Sequence, residues 1–351
     1  MKKKLLLLLF LAMGISLTLP AQIGGKSTYE FLNLPPSARA AAMGGNIIGI
    51  FDEDVSLVFQ NPAALDPEMH NALSFNTALY FAGINFGYLG YGRHYESIKT
   101  TFAGGLQYIA YGKFMGTDLN GNETAEFNAG EYALNLTAAR QYKKFNYGAH
   151  IKLIYSGLES YSSYGLATDI AGAYIDTATK FTATVVVKNI GTQLKPYTED
   201  NREPLPFEIQ AGISKQLKYM PFRFSVVVHN LQRPDIRYND PNFTPEPTIF
   251  GDTTEVVKEK KYIADKIAYH FIFGGEFLLG NSFRIRGGYN HMRRQNLSLD
   301  TRRGLSGFSV GAGLRISKFR IDYGFAKYHL AGASHQFSLS TNLSDFLPGV
   351  K

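Results

Sequence analysis

The sequence predicts an all-β fold, namely a transmembrane antiparallel β-barrel of about 14 strands with a small N-terminal helical plug. Three observations support it. Segments in which apolar and polar residues alternate recur along most of the chain. After Gly25 no apolar stretch reaches the length of a membrane-spanning helix. The connections between the predicted strands alternate between short and long.

The composition favours strands and excludes several classes of protein. The 351 residues include 26 Phe, 22 Tyr and 35 Gly, and only 19% of them are charged. Aromatic residues suit a pleated sheet, whereas glycine weakens the interior of a helix. The chain has no Cys, which excludes disulfides, thiolate zinc sites, cysteine-ligated iron–sulfur clusters and cysteine nucleophiles.

The N-terminus has the pattern of an export signal. Lysines at positions 2–4 precede an apolar run over 5–19, and small or neutral residues follow up to Ala21. This pattern predicts a signal peptide over residues 1–21. The alternative, a transmembrane anchor, needs about 20 apolar residues.

The net charge gives little reason to expect a nucleic-acid partner. Loss of the lysines at positions 2–4 with the signal peptide reduces the formal charge of +7 to +4. The mature chain is therefore only mildly basic, and no nucleic acid is expected. An exported chain of this composition is periplasmic, extracellular or a barrel in the outer membrane.

The alternation defines the strands of a barrel over residues 69–345. Tyr147, Ile151 and Tyr155 fall on one face of a segment, while His150 and Lys152 fall on the other. A soluble β-sandwich alternates in the same way, so the pattern alone does not prove a membrane location. The predicted strands begin near Leu73, Ile84, Lys99, Ala129, Phe145, Gly165, Phe181, Phe207, Phe222, Ala268, Phe283, Leu305, Phe319 and Ser334.

The connections separate by parity, which favours the barrel. Those after even-numbered strands are tight, whereas most of those after odd-numbered strands are longer. Short periplasmic turns and long extracellular loops are typical of outer-membrane barrels. The predicted extracellular loops cover 114–128, 157–164, 191–206, 232–266 and 292–304, of which 232–266 is the longest.

Residues 22–68 do not alternate and are predicted to form the plug. Ser37 can cap a short helix from Ala38 to Met43, and Asp52 can cap a turn that ends before Pro62. The segment is too small to form its own core, so we expect it to pack in the lumen. The glycine pairs at 104–105, 274–275 and 287–288 lack the spacing of a phosphate loop. They indicate strand curvature or close packing inside the lumen.

The plug segment resembles a known group of outer-membrane proteins. The run GGNIIGIFDEDVSLVFQNPAAL, residues 44–65, looks like the N-terminal signature of the FadL-like superfamily, with Asp52, Asp54, Asn61 and Pro62 at its acidic and Asn-Pro positions. The opening STYEFLNLP, residues 27–35, with the Ser-Ala-Arg at 37–39, is similar to the PorQ family of the type IX secretion system of Bacteroidota.

The resemblance implies a fourteen-stranded barrel with an N-terminal plug in the outer membrane of a Gram-negative bacterium. It implies a non-enzymatic component that anchors a cell-surface attachment complex. The implied partners are membrane lipid, a PorZ-like surface protein and other components of the complex, which joins cargo to anionic lipopolysaccharide. The alternative is a FadL-like transporter of hydrophobic small molecules, which the polar residues predicted to face the lumen do not favour.

Two groups of residues on the predicted extracellular side are candidate binding sites. The loop 232–266 is a candidate for docking a partner, or else an ordinary solvated loop; its charged residues include Arg233, Asp235, Lys258, Lys260 and Lys261. Arginine binds phosphate through two parallel hydrogen bonds. A second cluster is therefore a candidate for lipopolysaccharide or an acidic partner, or else rim charge; it comprises Arg293, Arg294, Arg302 and Arg303.

No residue pattern indicates catalysis. The eight His residues show no metal-binding spacing such as HExxH. A Ser-His-acid triad assembled from several strands remains an alternative, because triads are recognised by their geometry and not by their sequence spacing. No residue stands out as a nucleophile, and no metal or cofactor is expected.

Overall fold

The barrel predicted from the sequence is present. The computed structural model describes residues 27–118, 120–199, 201–237, 263–297, 304–329 and 332–346. Fourteen antiparallel strands form a closed barrel in which each strand pairs with its sequence neighbours and β14 pairs with β1. The strands are β1 Ala72–Leu79, β2 Asn85–Tyr95, β3 Thr100–Thr117, β4 Glu123–Tyr142, β5 Phe145–Leu158, β6 Tyr161–Asp176, β7 Phe181–Lys195, β8 Glu208–Gln216, β9 Phe222–Val228, β10 Phe271–Leu279, β11 Phe283–Asn290, β12 Phe308–Ile316, β13 Phe319–His329 and β14 Gly332–Asn342.

The alternation has the orientation expected of a membrane barrel. In β5, the Tyr147 and Ile151 side chains point outward and are each 50% exposed. On the opposite face of the same strand, His150 and Lys152 point into the lumen and are buried. An apolar exterior around a polar interior is the reverse of a soluble protein and matches a barrel surrounded by lipid.

The barrel has two unlike rims. The connections after even-numbered strands are short and form the short-turn rim, where β1 begins and β14 ends. The opposite, long-loop rim carries the connections 196–207, 229–270 and 291–307. Two short helices lie in the last two of these connections, namely α2 Ile263–Ala268 and α3 His291–Asn296.

Two predicted loops on the long-loop rim are mostly strand. The prediction of a loop over 114–128 is wrong, because β3 continues to Thr117 and β4 begins at Glu123. The prediction over 157–164 is wrong as well, because β5 and β6 are joined by a turn at 159–160 alone. The signal was lost at glycines and at β-bulges, which interrupt the period-2 pattern without ending the strands.

The plug consists of short helical turns joined by extended chain. Helix α1 is Ala38–Ala42, and the 3₁₀ turns of the plug are Glu30–Asn33, Val55–Phe59, Pro62–Ala64 and Pro67–Met69. Further 3₁₀ turns are Phe81–Gly83, Glu96–Ile98 and Leu343–Asp345. Ser37 caps α1 as predicted, by accepting a hydrogen bond from the Ala40 N–H. In the described parts of the chain, no helix is long and apolar enough to cross a membrane.

The second predicted cap is wrong. The turn Val55–Phe59 is capped by Asp54, whose side chain accepts from Ser56 N. Asp52 lies two residues earlier, and its carboxylate instead contacts arginines of the plug and of the wall. A nearby guanidinium competes with a backbone N–H for the same oxygens, and a charge-assisted pair is the stronger interaction.

Candidate functional site

The plug passes through the lumen from one rim to the other. It starts at the long-loop rim, where Thr28 N donates to Pro204 O at 3.0 Å and the Tyr29 hydroxyl contacts the hydroxyl of Ser163 on β6. It ends at the short-turn rim, where Asn342 Nδ2 donates to His70 O at 2.9 Å. The plug is therefore attached at both ends of the barrel.

Glycines on the wall provide space for the plug. A methyl group added at any of these positions would lie within 3.0 Å of a plug atom: Gly90, Gly92, Gly105, Gly148, Gly288, Gly311 and Gly324. At Gly105 it would lie 2.6 Å from Phe59 Cε1, and at Gly288 it would lie 2.7 Å from Met43 Cα. The predicted close packing inside the lumen is therefore present at Gly105 of the pair 104–105 and at Gly288 of the pair 287–288.

A group of buried and partly buried charges, which we call the ionic anchor, joins the plug to strands β9–β11. It comprises Arg39 and Asp52 of the plug with Arg223, Glu276 and Arg286 of the wall. Arg39 Nη2 lies 2.6 Å from Asp52 Oδ2 and 3.0 Å from Glu276 Oε2. Arg39 thus bridges an acid of the plug and an acid of the wall.

Arg223 repeats this bridge from the wall. Its two terminal nitrogens each lie 2.9 Å from one oxygen of Asp52, which is the bidentate geometry that guanidinium and carboxylate favour. Arg223 Nη2 also lies 2.5 Å from Glu276 Oε2. On the other side of Glu276, Arg286 Nε donates to Oε1 at 2.7 Å. Each acid of the anchor therefore faces at least two arginines.

The anchor keeps the plug charges ionised despite their burial. Burial opposes the charged form of Asp52, but Arg223 and then Arg39 more than offset it and hold the pKa of that carboxyl well below its usual range. Burial also opposes the charged form of Arg39, but Glu276 and Asp52 raise the pKa of its guanidinium above the ordinary value. The charges of the plug are therefore paired with charges of the wall.

The Asn-Pro part of the signature holds two arms of the plug together. Asn61 is buried; its side-chain oxygen accepts from Ala63 N at 3.0 Å, and its Nδ2 donates to Ile48 O at 2.7 Å. Pro62 begins the 3₁₀ turn that Asn61 caps, a position at which the missing N–H is harmless. Gln60, which precedes Asn61, donates from Nε2 to Gly45 O at 2.7 Å.

A second buried polar cluster lies on the wall. Lys152 Nζ lies 2.7 Å from Asp169 Oδ2 and donates to Asn189 Oδ1 at 2.7 Å. Asn189 has φ 57° at a bulge of β7, and its Nδ2 donates to Pro206 O at 2.9 Å and to Asn33 Oδ1 at 3.4 Å. The cluster therefore joins the wall to the β7–β8 connection and to the start of the plug.

Two of the four predicted arginines of the rim lie in the described part of the chain, and these two have separate contacts. Arg293 lies in α3 and turns toward the plug, with Nη1 3.5 Å from Gly44 O. Arg294 donates from Nη1 to Gly304 O, across the connection that follows α3. Both are partly buried. The remaining two lie outside the described residues, namely Arg302 and Arg303.

The long loop is described at its two ends. Arg233 and Asp235 are both exposed, and Asp235 pairs with Arg237 through oxygen–nitrogen distances of 3.0 and 2.8 Å. The Arg237 hydrogen bonds, with a smaller opposing effect of burial, lower the pKa of Asp235 to about 2. The other predicted docking residues lie outside the described residues, namely Lys258, Lys260 and Lys261.

Sequence reasoning missed the anchor residues Arg39, Arg223, Glu276 and Arg286. A signal was available in the strand register. Glu276 pairs with Arg223 across β9–β10 and with Arg286 across β10–β11, so opposite charges stand side by side on the lumen face. Arg39 could have been noticed as the single charge of an alanine-rich helix.

Comparison with solved structures identifies the class of fold. The P. putida toluene transporter TodX is 13% identical, with 88% of this chain and 99% of that chain covered and a TM-score of 0.50. A Pseudomonas aeruginosa FadL homologue is 10% identical, with 88% and 98% covered and a TM-score of 0.50. No protein-family model and no curated protein matches the chain.

These identities establish a shared fold alone. The chain has the closed 14-stranded barrel of FadL-like outer-membrane proteins, and none of the structures named here is that of an enzyme.

Proposed function

We propose that this chain is a non-enzymatic outer-membrane component of a type IX protein secretion system and anchors a cell-surface attachment complex. In this proposal the long-loop rim faces the outside, where a PorZ-like partner and anionic lipopolysaccharide are found. The opening at residues 27–39, which resembles the PorQ family, motivates the proposal. The structural observation that carries it is the packed plug with its buried ionic anchor.

The anchor makes the barrel better suited to a fixed scaffold than to a moving gate. Removing the plug would separate Arg39 from Glu276, two side chains that are almost fully buried. The loss of a buried hydrogen bond between charged groups costs about 1.5–3 kcal/mol. A scaffold that works through its rim needs no such movement.

Transport of hydrophobic small molecules is the second candidate, and the comparisons favour it over attachment. The two solved structures named above are a toluene transporter and a FadL homologue. An apolar cluster on the lumen side of the long-loop rim is also consistent with it; its buried members include Tyr29, Phe31, Leu32, Phe86 and Ile109. In this alternative, part of the plug shifts to admit the solute.

A disulfide between plug and wall separates the two candidates. The chain has no Cys, and Ile48 Cγ1 lies 2.8 Å from the position of a Cβ at residue 212, which is close enough for a disulfide. The variant Ile48→Cys/Gly212→Cys is compared with each single variant, oxidised and reduced, in cells that lack the native chain. Attachment of cargo to lipopolysaccharide and uptake of toluene are both measured.

The scaffold proposal predicts that attachment is lost without the chain and is retained when the plug is locked. Normal attachment in cells that lack the chain overturns it. Transport predicts that uptake is lost without the chain and falls when the disulfide forms, while the reduced double variant and Ile48→Cys retain uptake.

We also propose that the arginines of the rim contact lipopolysaccharide phosphate or an acidic patch of the partner. The group comprises Arg293, Arg294, Arg302 and Arg303. Replacement of all four by serine should weaken both the binding of purified lipopolysaccharide and the recovery of the complex. Unchanged values of both measurements would reject the role. The loop 232–266 is proposed as a docking segment, and crosslinking from Arg233 and Asp235 in intact cells tests that role.

A further inference from the structure

The β3–β4 hairpin extends beyond the last strand pairs that it makes with its two neighbouring strands. The last pair between β2 and β3 is Asn85 with Ala110, and the last pair between β4 and β5 is Ala129 with Leu158. Beyond these pairs, β3 and β4 form hydrogen bonds with each other and with no other described strand. We call residues 112–118 and 120–128 the ribbon. From residue 112 to residue 117 it projects by roughly 17 Å, at about 3.3 Å per residue.

The two faces of the ribbon differ. Phe114 pairs with Phe127, and their rings stack with centroids 5.4 Å apart and an interplanar angle of 21°. Glu131, two positions along β4 from Ala129, is buried in the lumen, so the odd-numbered face of β4 that carries Phe127 continues the lumen face. The aromatic pair therefore faces the barrel axis. Met115, which pairs with Glu126, faces outward.

The aromatic face is open to water. Phe114 is 42% exposed, because it lies beyond the last pairs with the neighbouring strands. Neither edge of the ribbon pairs with another described strand, and an unpaired strand edge is a template for pairing. Exposed apolar surface on a free-standing ribbon is typical of an interaction site.

The charge of the ribbon indicates the kind of partner. Lys113 and Glu126 pair with each other at 3.0 Å, which leaves Asp118 and Glu123 as the uncompensated charges among its described residues. The excess of acidic groups repels lipopolysaccharide phosphate, and it also repels a second copy of the same ribbon. A basic protein surface with an apolar centre complements both the charge and the aromatic pair.

We propose that the aromatic face of the ribbon docks a soluble surface protein whose contact area is basic with an apolar centre. This inference rests on the proposed scaffold function and names its docking surface. The partner lies over the mouth of the barrel and covers Phe114 and Phe127. The acidic groups increase the rate at which it associates.

The experiment uses the full chain in intact cells. A photo-crosslinking benzophenone amino acid replaces Phe114 in one strain and Met115, the matched position on the outward face, in another. Adducts are identified by mass spectrometry. The identified protein is then purified, and its binding to the detergent-solubilised barrel is measured for the native chain and for Phe114→Ser, Met115→Ser and Glu123→Lys. Thermal unfolding of each variant verifies that the barrel is folded.

The expected result is one basic surface protein crosslinked from position 114 and not from position 115. The affinity of this protein for the barrel should fall at least tenfold for Phe114→Ser and change less than twofold for Met115→Ser. Its association with Glu123→Lys should be several-fold slower than with the native chain. An adduct with lipopolysaccharide or with a second copy of the chain, equal adducts at both positions, or no adduct overturns the inference. Cargo attachment that needs the chain but tolerates Phe114→Ser also overturns it and leaves the scaffold function intact.

Discussion

Arg39 of the plug and Glu276 of β10 lie 3.0 Å apart, and both side chains are almost fully buried. Their positions in the sequence are far apart, yet this contact joins the N-terminal segment to the wall of the barrel. Arg39 also lies 2.6 Å from Asp52, so one guanidinium holds the plug together and attaches it. The stability of the barrel and the position of the plug should therefore depend on the same residue.

We predict that Arg39→Met lowers the free energy of unfolding by about 1.5–3 kcal/mol, because Glu276 and Asp52 each lose one of their arginine partners and keep the others. Urea unfolding of the folded barrel in detergent measures the change. The control is Lys113→Ala, which removes the exposed Lys113–Glu126 pair at 3.0 Å and should cost no more than about 1 kcal/mol. Equal losses in the two variants would contradict the role of the anchor.

The glycine pair on β11 allows a matched test of plug packing. Gly288 faces the plug, and a methyl group there would lie 2.7 Å from Met43 Cα. At Gly287 the nearest atom, Ser309 O, is 4.0 Å away. We expect Gly288→Ala to destabilise the barrel by about 1–3 kcal/mol through overpacking and to increase proteolysis of the plug. Gly287→Ala should leave both measurements near the native values, and a reversed order would disprove the packing.

The plug should loosen in acid. The folded pKa of Asp52 is held well below its ordinary value of 3.8, so the folded state binds its proton less readily than the unfolded chain. The stability that Asp52 contributes is therefore complete above about pH 4 and is lost as the pH falls further. Thermal unfolding between pH 7 and pH 3 should show this loss, and Asp52→Asn should have a smaller slope. Identical slopes would mean that other acids cause the whole effect.

The barrel could be predicted because its signals are local. Alternation within each strand and the parity of connection lengths depend on neighbouring residues, and the predicted starts of strands such as Phe145, Phe181 and Phe319 agree with the structure. Ser37 could be placed as a cap for the same reason. The extension of β3 and β4 into the predicted loop 114–128 was missed because Gly112 and Gly116 lie at register shifts, where a bulge hides the period.

The anchor could not be predicted from local signals. Asp52 was expected to cap a turn, since sequence shows which N–H groups are near and does not show which guanidinium arrives from a distant strand. Arg223 comes to Asp52 from β9, which is 171 positions away. Placing it requires the strand register and the path of the plug together, and those follow from the packing of the whole lumen.

Asn61 offers the sharpest test of the plug signature, because its two hydrogen bonds can be separated. Its oxygen accepts from Ala63 N, whereas its Nδ2 donates to Ile48 O. Asn61→Ala removes both bonds and leaves buried backbone groups without them, so we expect a loss of about 1–3 kcal/mol in the free energy of unfolding. Asn61→Ser retains a cap acceptor and should recover part of the loss. Hydrogen exchange at the Ala63 amide should then be slow in Asn61→Ser and fast in Asn61→Ala. Equal exchange in the two variants would show that the cap does not hold this turn, and the role of Asn61 would then be its contact with Ile48.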